Sequence, residues 1–223
     1  MFGGAKLKKL IGVGIGPGDK ELITLKAIKA IKNSDVIFLP SSKGKSLAEQ
    51  ITEEYILDKE KVYLEFPMGE ENSENYKMAA KIIDDKLSDG NIGVFLTLGD
   101  ALTYSTFIYL YEELKKYEVA VEIIPGVTSF SAAFSKLKIP FSIKGEAVLV
   151  TDRDVDEKIL KKVDGAVFLK ANKNKSALEK LKANGFKYYY VKRLFLDGEA
   201  FYTDDKSILE DKDYLSLLLA KKE

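Results

Sequence analysis

Gly12-Val13-Gly14-Ile15-Gly16-Pro17-Gly18-Asp19, Leu98-Gly99-Asp100-Ala101-Leu102-Thr103-Tyr104-Ser105-Thr106 and Ile124-Pro125-Gly126-Val127-Thr128-Ser129-Phe130-Ser131-Ala132-Ala133 decide how this chain folds. Each begins where an apolar, β-branched run stops, and each is followed by apolar residues at helical spacing. A loop leaving the carboxyl end of a strand and entering a helix is where an open α/β sheet takes its ligand. Three such loops converging would line a nucleotide-sized cleft.

Working outward, Lys9–Gly14 reads as a strand buried on both faces, because Leu10, Ile11 and Val13 run almost without a break. Leu22, Leu25, Ile28 and Ile31 recur as one helical face, with Asp19 expected to cap a helix starting near Glu21. Val36–Leu39 is a second strand, expected to stop at Pro40, and Leu47, Ile51, Tyr55 and Ile56 mark a second helix. A short strand at Val62–Phe66 is followed by an amphipathic stripe at Tyr76, Ala79, Ala80, Ile83 and Leu87. Strands at Ile92–Leu96 and Val119–Ile124 flank a helix at Phe107–Lys116, which Thr106 is placed to cap. This alternation predicts a parallel sheet of the α/β class.

Lys138-Ile139-Pro140-Phe141-Ser142 reads as a hinge, and the pattern changes beyond it. Strands at Ala147–Val150 and Ala166–Leu169 separated by a helix, a second helix at Ser176–Asn184 and strands at Tyr188–Phe195, Ala200–Tyr202 and Tyr214–Ala220 follow. The turn at Asp197-Gly198 makes a hairpin, so the second sheet is expected to be mixed. The expected organisation is a first lobe at 1–137, a hinge at 138–144 and a second lobe at 145–223.

Composition excludes much chemistry. The chain has 223 residues with neither cysteine nor histidine, which removes disulfides, thiolate nucleophiles, Ser-His-Asp triads and imidazole-held metals. Its 35 basic and 35 acidic side chains balance, so no global field argues for nucleic acid or a membrane surface. No signal-peptide core and no membrane-length apolar run stand out, and a soluble cytoplasmic protein is expected.

Two glycine motifs imitate nucleotide sites. Counted from Gly12, the third glycine of a G-x-G-x-x-G fingerprint falls on Pro17, and Asp35 precedes the second strand instead of ending it. Gly44-Lys45-Ser46 ends like a phosphate-binding loop, yet Leu39 stands where that motif needs glycine. Hydride transfer and nucleoside-triphosphate hydrolysis are therefore rejected.

The Gly99–Thr106 loop carries the strongest chemical signal. Glycine lets backbone approach a ligand that a Cβ would exclude. Asp100 offers acceptors for a ribose hydroxyl or an amino group, and Thr103, Ser105 and Thr106 add hydroxyls. Thr128 and Ser129 sit at a helix start, where their hydroxyls fit capping and ligand binding equally.

Taken together, these loops resemble the tetrapyrrole (corrin and porphyrin) methylase family over essentially the whole chain. The resemblance is most specific in the first 140 residues. Gly-Asp-Ala-Leu-Thr-Tyr-Ser-Thr-Phe, with Ala101 where many members have proline, is most similar to the branch methylating C20 of precorrin-2 or cobalt-factor II. The resemblance implies two α/β lobes, mainly parallel then mixed, with S-adenosylmethionine bound in a cleft between them and no protein-bound metal. It implies cofactor contacts from Pro17, Gly99, Asp100, Ala101, Thr103, Tyr104, Thr128, Ser129, Lys170, Leu194, Leu215 and Ser216, with Asp100 and Tyr104 orienting the reactants. Lys43 and Arg193 are the expected partners of substrate carboxylates, and a homodimer acting on a small-molecule tetrapyrrole is implied. The alternatives are another branch of the family, such as one methylating a protein side chain, or a non-catalytic nucleotide-binding module.

Overall fold

A five-stranded, all-parallel sheet in the order β3-β2-β4-β1-β5 organises the first part of the chain. It was obtained as a computed structural model that describes residues 7–67, 73–173 and 176–222. The strands are β1 (Lys9–Gly14), β2 (Val36–Ser41), β3 (Glu60–Glu65), β4 (Ile92–Thr97) and β5 (Ala120–Ile124). Between them run α1 (Leu25–Lys32), α2 (Leu47–Ile56), α3 (Ser73–Lys86) and α4 (Thr106–Leu114). β1 lies centrally, pairing Gly14 with Thr97 of β4 and Val13 with Ile124 of β5. The near-continuous apolar runs of β1 and β4 follow from this, since strands covered on both faces have no solvent side to mark. Leu10, Phe38, Phe95, Phe107 and Leu110 are fully buried in one core cluster with α3 and α4.

Three local expectations are corrected. β2 runs through Pro40 to Ser41, because its pairing with β4 ends at Phe38 while that with β3 continues to Ser41↔Glu65. Past Phe38 the strand has one neighbour, and a missing N–H is tolerated on the open side. Asp19 caps only a 3-10 turn at Lys20–Leu22, and Thr24 starts α1 by accepting from the Ala27 N–H. Ser105, not Thr106, caps α4: its Oγ accepts the Phe107 N–H at 3.0 Å and lies 3.1 Å from Thr97 Oγ1.

The chain divides into two compact units, Met1–Thr128 and Ser129–Glu223. α5 (Ser129–Leu137) therefore belongs to the second unit, together with the 138–144 segment. Its ties explain why: Phe134 packs edge-on against Phe141, and Lys136 pairs with Glu199 while lying over the Phe195 ring.

The second unit holds β6 (Val148–Thr151), α6 (Glu157–Leu160), β7 (Gly165–Leu169), α7 (Ala177–Ala183), β8 (Phe186–Lys192), β9 (Ala200–Tyr202), α8 (Asp205–Glu210) and β10 (Ser216–Lys222). Its sheet has the order β6-β7-β10-β8-β9 and is mixed, with β6 parallel to β7 and β10 antiparallel to both β7 and β8. The β8–β9 hairpin is present. α8 has no counterpart in the sequence reading, because a single buried residue, Ile208, leaves it almost no apolar face.

Tyr190 is almost fully buried, stacks with Tyr202 and donates its hydroxyl to Asp211 at 3.0 Å. Asp211 also takes the Lys192 ammonium at 2.7 Å and the Asp213 N–H at 2.8 Å. Burial alone would raise the Asp211 pKa, but these three donors outweigh it and hold the carboxyl below its ordinary value. A lowered folded-state pKa means stability that is fully present above the ordinary carboxylate range and lost as pH falls through the lowered value. Asp211→Asn is therefore expected to cost about 2 kcal/mol at neutral pH and to flatten the acid limb of stability. Urea midpoints measured across the acid range check this.

Candidate active site

At the carboxyl edge of the first sheet the ends of β1, β4 and β5 meet backbone to backbone. The Ile15 N–H donates to Thr97 O at 3.0 Å. Gly16 and Gly99 exchange both hydrogen bonds, at 3.1 and 2.7 Å. A Cβ placed on Gly14 would lie 2.6 Å from Gly126 N and 2.7 Å from Gly99 O. One placed on Gly126 would fall onto Gly99 O and come within 2.7 Å of the Gly14 carbonyl carbon. Only three residues without side chains can pack this closely. The three quoted loops thus converge on one backbone junction.

The Asp100 carboxylate ties that junction together. Its Oδ1 accepts from the Leu102 N–H and the Thr103 hydroxyl, both at 2.9 Å. Its Oδ2 accepts the Gly126 N–H at 3.0 Å, across to the β5 loop. A carboxylate has about four acceptor positions, and three are occupied by the chain itself. The expectation of an acceptor free for a ligand is thereby narrowed to one remaining position.

In the loops of the junction, Ala101 and Pro17 are buried and Thr103 and Thr128 half-buried; Ser129, half-buried, opens the second unit. Gly99 has φ 72°, and a Cβ built on it meets nothing within 4 Å. A cradle that a side chain would fill stands open beside the close backbone contacts of Gly14 and Gly126. Tyr104, 42% exposed, holds φ 51°. An aromatic residue is rarely found in that left-handed region, and such strain collects at functional sites.

Lys43, also left-handed at φ 51°, sits exposed in the loop after β2 on the same edge of the sheet. Asp35 is bound to the Ile92 N–H at 2.8 Å, consistent with rejecting it as a ribose ligand.

In the second unit, antiparallel pairing brings the start of β10 beside the ends of β7 and β8. Lys170 follows β7 at φ 52°, 3.8 Å from Asp152, and Arg193 follows β8 at φ 48°. The Arg193 N–H donates to Leu215 O at 2.8 Å, so Lys170, Arg193, Leu194, Leu215 and Ser216 share one sheet edge. Leu194 is buried, and the Ser216 hydroxyl donates to Asp213 O at 2.8 Å. The Arg193 guanidinium is bound to the Asp213 carboxylate through Nε at 2.6 Å and to Asp197 O at 3.2 Å. One of its donors thus holds the loop before β10 and another the turn between β8 and β9.

Sequence reading missed Asn172, which sits on the same edge. Its N–H donates to Ser216 Oγ and its Nδ2 to Lys212 O, both at 3.2 Å. Its Oδ1 is buried without a hydrogen-bond partner among the described residues. Such a buried acceptor costs about 1–3 kcal/mol unless something donates to it. The signal available in sequence was an asparagine three residues beyond a fully buried strand. Among the described residues there is no cluster of three or more potential metal ligands, and no helix is long and apolar enough to cross a membrane.

Residues 9–205 match the Tetrapyrrole (Corrin/Porphyrin) Methylases family. The chain belongs to it. This methylase is 33% identical over 223 residues to a probable cobalt-precorrin-2 C(20)-methyltransferase of Methanocaldococcus jannaschii, with 97% of each chain covered. It is 28% identical over 238 residues to a precorrin-2 C(20)-methyltransferase of Sinorhizobium sp, covering 97% of this chain and 96% of the relative. Among solved structures, uroporphyrin-III C-methyltransferase from Thermus thermophilus complexed with S-adenyl homocysteine superposes with a TM-score of 0.69. That pair is 23% identical, with 96% of this chain and 97% of the other covered, and shares the fold.

Proposed function

We propose that this methylase transfers a methyl group from S-adenosylmethionine to C20 of precorrin-2 or cobalt-factor II, a step of cobalamin biosynthesis. The observation that carries the reading is the Gly14–Gly99–Gly126 junction with its open cradle at Gly99, in a chain 33% identical over 97% of its length to a probable cobalt-precorrin-2 C(20)-methyltransferase. The cradle fits a ligand that backbone must approach closely. The buried Asn172 Oδ1 fits a hydrogen-bond donor such as an exocyclic amine.

S-adenosylmethionine, when bound, supplies a sulfonium methyl to an electron-rich ring carbon, and the sulfur keeps the electron pair of the broken bond. The protein's part is then alignment and exclusion of water, which can supply most of the acceleration without acid–base side chains. A chain without histidine or cysteine suits that division of labour. Asp100 orders the loop at Gly99, and Tyr104, held in a strained backbone, orients the reactants. Pro17, Ala101, Thr103 and Thr128 complete the first unit's contacts, and Ser129, Lys170, Leu194, Leu215 and Ser216 are those of the second. No side chain is assigned as an obligatory base. The same reading makes the enzyme cytoplasmic and homodimeric, without nucleic acid, membrane or resident metal.

The test is anaerobic incubation with methyl-labelled S-adenosylmethionine and, in parallel, precorrin-2 and cobalt-factor II, followed by mass analysis of the tetrapyrrole. One added methyl on either is expected, and the preferred acceptor tells whether cobalt enters first. No label on either, with cofactor binding intact, moves the protein to another branch of the family.

A further inference from the structure

We infer that the turn Ser42-Lys43-Gly44-Lys45 is a two-point clamp for the peripheral carboxylates of the acceptor, and that Glu65 is its positioning residue. The inference rests on the tetrapyrrole reading above. Ser42 and Lys45 exchange both backbone hydrogen bonds, at 3.0 and 3.1 Å, and close a two-residue turn. Its central residues Lys43 and Gly44 both have positive φ, 51° and 72°. Such turns favour Asn-Gly or Gly-Gly at the centre, since a side chain with a Cβ is strained there. A lysine in the first central position keeps strain that asparagine or glycine would relieve, so its side chain is what the position requires.

Glu65 supplies the second argument. Its Oε2 accepts the Ser41 hydroxyl at 2.8 Å and its Oε1 the Lys43 backbone N–H at 2.6 Å. The Ser41 hydroxyl first, then the Lys43 and Gly44 backbone N–H groups, lower its pKa and keep it charged. A carboxylate at the foot of a dilysine turn would ordinarily take an ammonium. Here it holds the backbone instead, and among the described residues neither Lys43 nor Lys45 has an ion-pair partner. Both lysines are exposed.

Position supplies the third. β2 is the immediate neighbour of β4, and the two strands are parallel. The lysine turn after β2 therefore stands on the same sheet edge as the Gly99 cradle after β4. Arg193, already bound to Asp213, is the weaker candidate for the same task. Two flexible point charges suit carboxylates spread around a ring periphery better than one rigid guanidinium fork.

The test is steady-state kinetics on the full-length protein with the tetrapyrrole that wild type methylates, beside calorimetric binding of S-adenosylmethionine. Lys43→Ala and Lys45→Ala are each expected to raise the tetrapyrrole KM about three- to tenfold. The double variant should raise it further, with kcat within about twofold and cofactor Kd unchanged. Lys43→Arg, which keeps the charge, should recover most of the affinity. Lys43→Gly should unfold at the same or a higher temperature yet show the raised KM, separating charge from turn strain. Glu65→Gln should raise KM with both ammoniums present, and added salt should narrow every difference from wild type. A double variant with wild-type KM would overturn the clamp. Wild-type protein that methylates neither tetrapyrrole would instead overturn the functional reading on which the clamp rests.

Discussion

Gly126→Ala is expected to abolish cofactor binding and to lower stability by about 3 kcal/mol, the upper end of the range for overpacking. The new methyl would fall onto the Gly99 carbonyl oxygen and within 2.7 Å of the Gly14 carbonyl carbon, both backbone. No rotamer change relieves a clash with backbone. The β5 loop must move, and the Asp100–Gly126 hydrogen bond moves with it. Urea unfolding and calorimetric titration with S-adenosylmethionine measure the two effects. Wild-type values for both would remove the junction from the site. Gly99→Ala makes a useful contrast. Its Cβ meets nothing within 4 Å, so the steric cost to the protein is small, while φ 72° and an occupied cradle still disfavour it. Ligand affinity should therefore fall by more than stability does.

Asp100→Ala carries the second largest expectation: at least a hundredfold weaker cofactor binding, with stability lowered by about 2 kcal/mol. The carboxylate accepts from Leu102, Thr103 and Gly126, and its removal leaves all three donors without the partner that shapes the loop. Asp100→Asn separates charge from shape. The amide can keep the bonds at one oxygen but must present an N–H group to one of its present donors. It is expected to fall between wild type and alanine in both affinity and urea midpoint. Thr103→Val loses one bond of the three and should be mild. If Asp100→Ala binds cofactor as wild type does, neither the loop order nor the remaining acceptor position matters to the site.

Much of this architecture was legible because its signals are local. β1, α2 and the hairpin at Asp197-Gly198 follow from periodicity and turn chemistry acting over a few residues. The errors were also local competitions that sequence states ambiguously. Ser105 and Thr106 are both competent caps, and only the buried contact with Thr97 selects Ser105. Pro40 reads as a terminator unless the strand is known to have a single neighbour there. The grouping of α5 with the second unit rests on Lys136 against Glu199 and Phe195, contacts that no local period announces.

Local signals in the chain gave every strand and every helix but α8 in order, excluded imidazole and thiol chemistry, and marked the three loops on which a ligand site would stand. Tertiary structure alone decided what those loops do to one another. Asp100 and Gly126 lie 26 residues apart, and no propensity or period links them. Parallel pairing of β1 with both β4 and β5 brings the strand ends into register, and only then can a carboxylate in one loop hold the backbone of another. The same holds for Glu65 and Lys43, joined across the β2–β3 pair, and for Asn172 and Ser216 at the β7–β10 edge. Propensity and capping act within a turn or two of chain, whereas these contacts are set by sheet register.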